Sequence, residues 1–321
     1  MTEQGPGSSP SGTHGNGIPS VTVVGSVNLD TTVRVPHIPV AGETILATDS
    51  TTSPGGKGAN QAAAAAAAGA AVRFIGAMGA DPIGDAALEG LRAFGVELDA
   101  LQRVEGVPSG SATVVVADDA ENLILVSPGA NAHLDPETVA QALSSTPGRV
   151  LLTQLETPIT VLEACSAAPF TRRILNPAPI SRDPRLPELL QNFTLLVPNR
   201  TELAQLTNHV VPRTIDEVRE CVASLHFAGD VVVTLGADGA AIFPAGYAAD
   251  GSGAQAPRVI APPLVTPIDT TGAGDVFCGT LARQLAEHDD LERAVVAAVE
   301  ASAHSTEIAR AQLAPTLTAG E

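Results

Sequence analysis

The chain has no tryptophan, a single tyrosine and little positive charge, and each shortage removes a class of function. With aromatics at 2% there is no platform on which the bases of a single nucleic-acid strand would stack. Basic residues total 17 against 35 acidic ones, giving a net charge of −18, the wrong sign for nucleic acid or an anionic membrane surface. Only three cysteines occur, Cys165, Cys221 and Cys278, and an odd, widely spaced set fits a reducing compartment better than a disulfide framework. The histidines show no metal-ligand spacing with them. No N-terminal apolar stretch resembles a signal peptide, and no run has the length of a bilayer crossing. The expectation is a soluble cytoplasmic protein.

Lysine is the sharpest scarcity. Lys57 is the only one, and arginine supplies every other basic residue. Chance survival is one reading. The other is that Lys57 sits where a compact, strongly hydrated point charge is needed and a guanidinium fork would not fit.

What is present suffices for a large core, with 44% hydrophobic and 16% charged residues over 321 positions. Residues Met1–Pro19, rich in Gly, Ser and Pro, read as a disordered tail before a folded domain at 20–316. Val21–Val24 reads as a buried strand ending in the polar run Gly25–Asp30. Gly55, Gly56 and Gly58 then open a helix carrying the seven alanines Ala62–Ala68. From Val72 strands and helices alternate, including an expected helix over Gly84–Phe94. Alternation of this kind implies right-handed crossovers, so the fold class is α/β, a mainly parallel sheet flanked by helices on both faces. Two hairpin-like excursions, at about 31–53 and 108–127, break the pattern and are assigned to a small β lid.

Polar residues fall repeatedly at strand ends, among them Asn28, Asp30, Gln154, Glu156, Asn176, Asn199, Glu202 and Thr234. In a parallel sheet all project from one rim, where open α/β sheets bind ligands. The stretch Thr266–Gly279, TPIDTTGAGDVFCG, is the centre of this pattern. Its glycines precede a helical run, and a helix N-terminus offers unpaired amides and positive dipole to an anion. Asp275 falls in the first turn. A carboxylate there is either an ordinary dipole-favoured residue or a base for a hydroxyl attacking the bound anion, and Gly272, Ala273, Gly274 and Asp275 alone leave both readings open.

The motifs GSVNLD (Gly25–Asp30), GGKGANQA (Gly55–Ala62), PGANAHL (Pro128–Leu134), QLE (Gln154–Glu156), NPAP (Asn176–Pro179), PNRTE (Pro198–Glu202), TLGADG (Thr234–Gly239) and DTTGAGD (Asp269–Asp275) together carry a resemblance. Over about Val21–Pro315 the chain resembles the ribokinase-like (PfkB) family of sugar and nucleoside kinases, and GSVNLD, GGKGANQ, PGANA and NPAP resemble its ribose-specific members.

The resemblance implies a homodimeric kinase that transfers phosphoryl from ATP to the 5-hydroxyl of D-ribose, with Mg²⁺ and a monovalent cation such as K⁺. It implies Asp275 as general base, with the amides of Gly272, Ala273 and Gly274 around the transferred group. It implies Asn28, Asp30, Gly55, Gly56, Asn60 and Glu156 around the sugar, with Lys57 beside them. Asn199, Thr234, Gly236, Gly239 and Gly274 would bind ATP, and Glu202 would hold Mg²⁺ through water. Asp269 and Thr271 match the monovalent-cation site, and the lid would pair with its copy in the dimer. Arg310 departs from the family's Gly-Ala-Gln, placing a guanidinium where it either pairs with Asp269 or points to solvent. Ala245–Pro257 is expected to be a surface loop.

The alternatives are a kinase for another furanose, such as deoxyribose or fructose, or for a nucleoside, or a sugar- or nucleotide-binding regulator without chemistry.

Overall fold

The computed structural model describes residues 20–119, 121–145, 148–248 and 256–308. The tail at 1–19, most of the Ala245–Pro257 loop and Arg310 lie outside the described residues. The chain begins with β1 (Val21–Val24), β2 (Asn28–Val35), β3 (Asp49–Gly55), α1 (Lys57–Ala67), β4 (Val72–Ile75) and β5 (Ala77–Gly79). Next come α2 (Pro82–Ala87), α3 (Glu89–Ala93), β6 (Gln102–Val104), β7 (Gly110–Ala117), β8 (Asn122–Ser127), α4 (Pro136–Ser145) and β9 (Val150–Thr153). Then follow α5 (Ile159–Ser166), β10 (Arg172–Leu175), α6 (Leu186–Leu190), β11 (Leu195–Leu196), α7 (Arg200–Thr207), α8 (Ile215–Ser224) and β12 (Asp230–Thr234). The described part closes with β13 (Ala240–Phe243), β14 (Arg258–Ile260), α9 (Ala273–Glu287) and α10 (Leu291–Ser305).

Eight strands form the main sheet in the order β14-β13-β12-β11-β10-β9-β1-β4. From β4 to β12 every pairing is parallel, and β13 and β14 add an antiparallel edge. Successive residues of one strand face opposite sides, and the core divides accordingly. Val21, Val23, Leu152 and Ile174 pack with α1, α9 and α10, whereas Val24, Leu151 and Leu175 pack with α4, α5 and α8. Helices on both faces account for the near-continuous apolar character of these short strands.

A second sheet, β3-β2-β7-β8, stands apart. Its two antiparallel pairs, β2–β3 and β7–β8, are the excursions seen in the sequence. They are joined by a parallel pairing of β2 with β7, Asn28 opposite Gly110 through Val35 opposite Ala117. That register is set across some eighty residues of sequence and leaves no local signal.

Two local expectations change. The helix foreseen over Gly84–Phe94 is two short ones, α2 and α3, broken at Leu88. The Asp81 side chain caps the first by accepting from the Gly84 amide at 2.8 Å, and Pro82 occupies its first position, so it starts earlier than the apolar pattern implied. The polar run after β1 is not simply a strand-end loop, because β2 begins at Asn28 and carries both Asn28 and Asp30 into the second sheet.

Candidate active site

Chain order places β4 to one side of β1 and β9 to the other, so the sheet has its switch point between β1 and β9. The residues just past these strands meet there. The Ser26 hydroxyl donates a short bond to Glu156 Oε2, and the same oxygen accepts from the Lys57 amide at 3.0 Å. Glu156 therefore joins the ends of β1 and β9 to the first residue of α1. Gly58 allows α1 to approach this closely, since a Cβ there would lie 2.6 Å from the Ser26 nitrogen.

The second sheet supplies the next group. Asp30 Oδ1 accepts from the Ala112 amide at 3.0 Å, and a Cβ on Gly55 would fall 2.0 Å from Asp30 Oδ2. Burial pushes the Asp30 carboxyl up to about 6 from 3.8, and the nearby charge of Glu156 adds to the rise. Asn28 is buried, and its Oδ1 accepts from Asn131 Nδ2 at 2.8 Å. Its acceptor is thus committed to the structure, and its side chain also bonds to the Asp30 carboxyl, which opposes the rise there.

Asp275 lies in the first turn of α9, behind Gly272 in the left-handed region at φ 75°. Its carboxylate is gripped by consecutive residues of α1: Asn60 Nδ2 donates to Oδ2 at 3.1 Å and Gln61 Nε2 to Oδ1 at 2.9 Å. α1 and α9 come this close because their contact is made of small residues. A Cβ on Gly279 would meet Ala64 Cβ at 2.6 Å and the Gln61 carbonyl at 2.5 Å. The poly-alanine run is therefore a packing surface as well as a good helix former.

A cavity of about 210 Å³ opens in front of Asp275, lined also by Lys57, Asn199, Glu202, Thr234, Gly272 and Gly274. Asp275 foremost, with Glu156 and Glu202, pushes the Lys57 ammonium up despite its burial, so it is fully charged. Burial pushes the Glu202 carboxyl up, opposed by the Asn199 amide and by Lys57. Cys278 also lines the cavity, and burial holds its thiol well above its ordinary value, an un-ionised and unreactive state.

The set of unengaged amides at the start of α9 is narrower than the sequence suggested. The Ala273 amide donates to the Thr270 carbonyl at 3.2 Å, whereas among the described residues no bond engages the Gly272 or Gly274 amide. A Cβ on Gly274 would meet nothing within 4 Å, so the space beside it belongs to the cavity. Successive amides around a left-handed residue form a concavity suited to an anion.

Asn199 and Glu202 have a structural use that the sequence reading overlooked. They form the capping box of α7, each side chain bonded to the other's backbone amide at 2.8 Å. Asn199 Nδ2 and Glu202 Oε1 are left over, and Thr234 joins them through a parallel bridge to Asn199. Gly236 and Gly239 shape the turn after β12, both at positive φ, with Gly239 packed against the Ile260 carbonyl; neither lines the cavity. Asp269 and Thr271 lie in the loop before α9, where Asp269 Oδ1 accepts from the Thr271 amide at 2.8 Å. The Thr306 carbonyl at the end of α10 ties that loop down through the amides of Ile268 and Asp269.

The sequence alone places Asn176 only among the rim residues, without a role, and does not single out Gln61, although both lie in motifs already noted. Gln61 is fully buried behind Asp275, and Asn176 lines the cavity.

Residues 19–317 match the model of a family described as pfkB family carbohydrate kinase. The chain is 37% identical to the ribokinase of Bacillus subtilis over 284 residues, covering 86% of this chain and 89% of that one. It is 34% identical to the ribokinase of Haemophilus influenzae over 286 residues, 86% and 88% of the two chains. Among solved structures, Arabidopsis thaliana ribokinase complexed with ribose and ATP aligns with a TM-score of 0.78 at 32% identity, over 91% of this chain and 95% of that one.

Proposed function

The chain belongs to the pfkB family of carbohydrate kinases, and we propose that it transfers a phosphoryl group from ATP to the 5-hydroxyl of D-ribose, giving ribose 5-phosphate and ADP. One observation carries the chemistry. Asp275 stands at the N-terminus of α9, held at both oxygens from α1, in a cavity that also contains Lys57 and the unengaged Gly272 and Gly274 amides. A resting carboxylate beside an anion site is repulsive unless it has a proton to take. In this reading Asp275 takes the hydroxyl proton as the sugar oxygen bonds to the γ-phosphorus and the bond to the ADP oxygen breaks. The amides and the Lys57 ammonium lower the barrier by meeting the charge that spreads over the transferred oxygens.

The sugar would bind between the two sheets, to Asn28, Asp30, Gly56, Asn60 and Glu156. A buried acceptor supports this: Asn60 Oδ1 has no partner among the described residues, which a sugar hydroxyl would satisfy. The second sheet, with Gly55 at its root, acts as the lid that keeps water from the γ-phosphate. ATP would lie along Asn199, Thr234 and the Gly236–Gly239 turn. Glu202 fits a hydrated Mg²⁺, being a half-buried carboxylate with no ion pair among the described residues, and Mg²⁺ held there would supply charge neutralisation on the phosphates. Asp269 and Thr271 are the candidate residues for a monovalent cation such as K⁺.

β8 supports a homodimer, because all six of its residues are exposed and four in succession, Leu123–Val126, are apolar on a sheet edge. Among the described residues no helix is long and apolar enough to cross a membrane. The three buried free cysteines suit a reducing cytoplasm. Coupled ADP release over a panel of pentoses, hexoses and nucleosides tests the assignment. Preference for ribose supports it, preference for deoxyribose, fructose or a nucleoside reassigns the substrate, and no turnover on any of them refutes catalysis.

A further inference from the structure

We propose that Gln61 is the positioning residue for the Asp275 base, through a chain of side-chain amides whose polarity admits one orientation. The inference rests on the reading of Asp275 as the base. The chain starts at the Val197 carbonyl, which can only accept. Asn176 therefore turns Nδ2 toward it, at 2.9 Å, leaving Asn176 Oδ1 to face Gln61. Gln61 in turn presents its NH₂ group, giving one hydrogen to Asn176 Oδ1 at 3.1 Å and the other to Asp275 Oδ1 at 2.9 Å. Gln61 Oε1 is left to accept from Gln154 Nε2 at 2.6 Å. Reversing any one amide sets two oxygens or two NH₂ groups against each other. Gln61 and Gln154 are buried, so water does not relieve the mismatch.

The consequence falls on the base. Oδ1 always receives a neutral donor from behind, which holds the plane of the carboxylate. Among the described residues Oδ2 is held only by Asn60 Nδ2, at 3.1 Å and from the half-buried side, and in this reading it is the oxygen that takes the substrate's proton. The charged and titratable groups facing Asp275 are Lys57 from α1, Glu202 from α7 and Cys278 from its own helix. None of them is changed by substitution at Gln61.

Two variants test this. Gln61→Met keeps length and removes the donor, so kcat should fall on the order of tenfold or more while KM for the sugar stays within about threefold. Gln61→Glu sets a second carboxyl against Oδ1 in place of the donor, and kcat should fall further with KM again within about threefold. Carbon-detected NMR of the Asp275 carboxyl, assigned by comparison with Asp275→Asn, should show its chemical shift changed at fixed pH when the bond to Oδ1 is lost, without turnover. If the unmodified protein phosphorylates none of the sugars, the proposed function fails while this signal still decides the role of Gln61. Should Gln61→Met not fold, Gln154→Met removes the donor to Gln61 Oε1 and should change kcat and the carboxyl signal the same way by less. Variants whose melting temperature and kcat drop together, with KM rising and the carboxyl signal unmoved, would overturn the proposal and leave Gln61 a packing residue.

Discussion

Replacing Asp30 by Asn should make the protein more stable at neutral pH while ruining sugar binding. Asp30 Oδ1 accepts from the Ala112 amide, and an Asn oxygen accepts the same bond, so the link between β2 and β7 is kept. What disappears is a charge that the fold holds unfavourably, its burial outweighing the bonds it accepts from the Ala112 amide and the Asn28 side chain. Burial raises the carboxyl from 3.8 to about 6. A raised acid contributes stability that is fully present below the unfolded pKa and is lost as pH rises through the folded one. By pH 7.5 the loss is the full shift of about two pH units, worth up to about 3 kcal/mol. Asp30→Asn should accordingly raise the melting temperature at pH 7.5, with the gain shrinking toward pH 4. In the proposed site the ionised form accepts sugar hydroxyls, so kcat/KM for ribose should fall with unit slope below about pH 6, to roughly a tenth of its plateau at pH 5. That limb should be absent in Asp30→Asn. A variant less stable than the parent at pH 7.5, or one retaining a limb near 6, would refute the reasoning, since each requires that the charge at Asp30 is not what burial disfavours.

Asp275→Asn keeps shape and removes the base, so turnover should fall about 10²–10⁴-fold or more, while calorimetry still finds sugar and ATP binding. Lys57→Arg keeps the charge but exchanges a compact ammonium for a planar fork in a cavity shared with Asp275 and Glu202, and it should lower turnover by about tenfold or more; unchanged kinetics would make the single lysine an accident. Gly274→Ala meets no atom within 4 Å and lies inside a helix, so stability should hold or rise by up to about 1 kcal/mol. Its turnover should nevertheless drop, because the new methyl occupies the space beside the free amide; parental kcat and ATP KM in that variant would exclude Gly274 from the phosphate site.

The two halves of the site differ in how readable they were, and the reason is physical. Asp275, Gly272 and Gly274 sit on consecutive backbone at one helix start, so their relation was legible from spacing alone. The rim of polar residues followed from short apolar strands, whose two buried faces leave an unambiguous pattern. The grip on Asp275 was not legible, because it joins residues more than two hundred positions apart and depends on how near two helices come. The signal for that approach was present as composition, a run of alanines with Gly279 opposite, and it reads as helix propensity until the partner helix is known. Asn199 and Glu202 show the converse. Their spacing is that of a capping box, so the pair has a structural reason to exist even if no nucleotide binds near it. Gln61 combines both difficulties. It is a polar residue at the head of an apolar stripe, fully buried, and its orientation follows, through Asn176, from the Val197 carbonyl just past β11 rather than from its neighbours in sequence. A buried amide costs stability unless every donor and acceptor is met, and the Gln154–Gln61–Asn176 chain meets all of Gln61's at the one place where a carboxylate has to be held still.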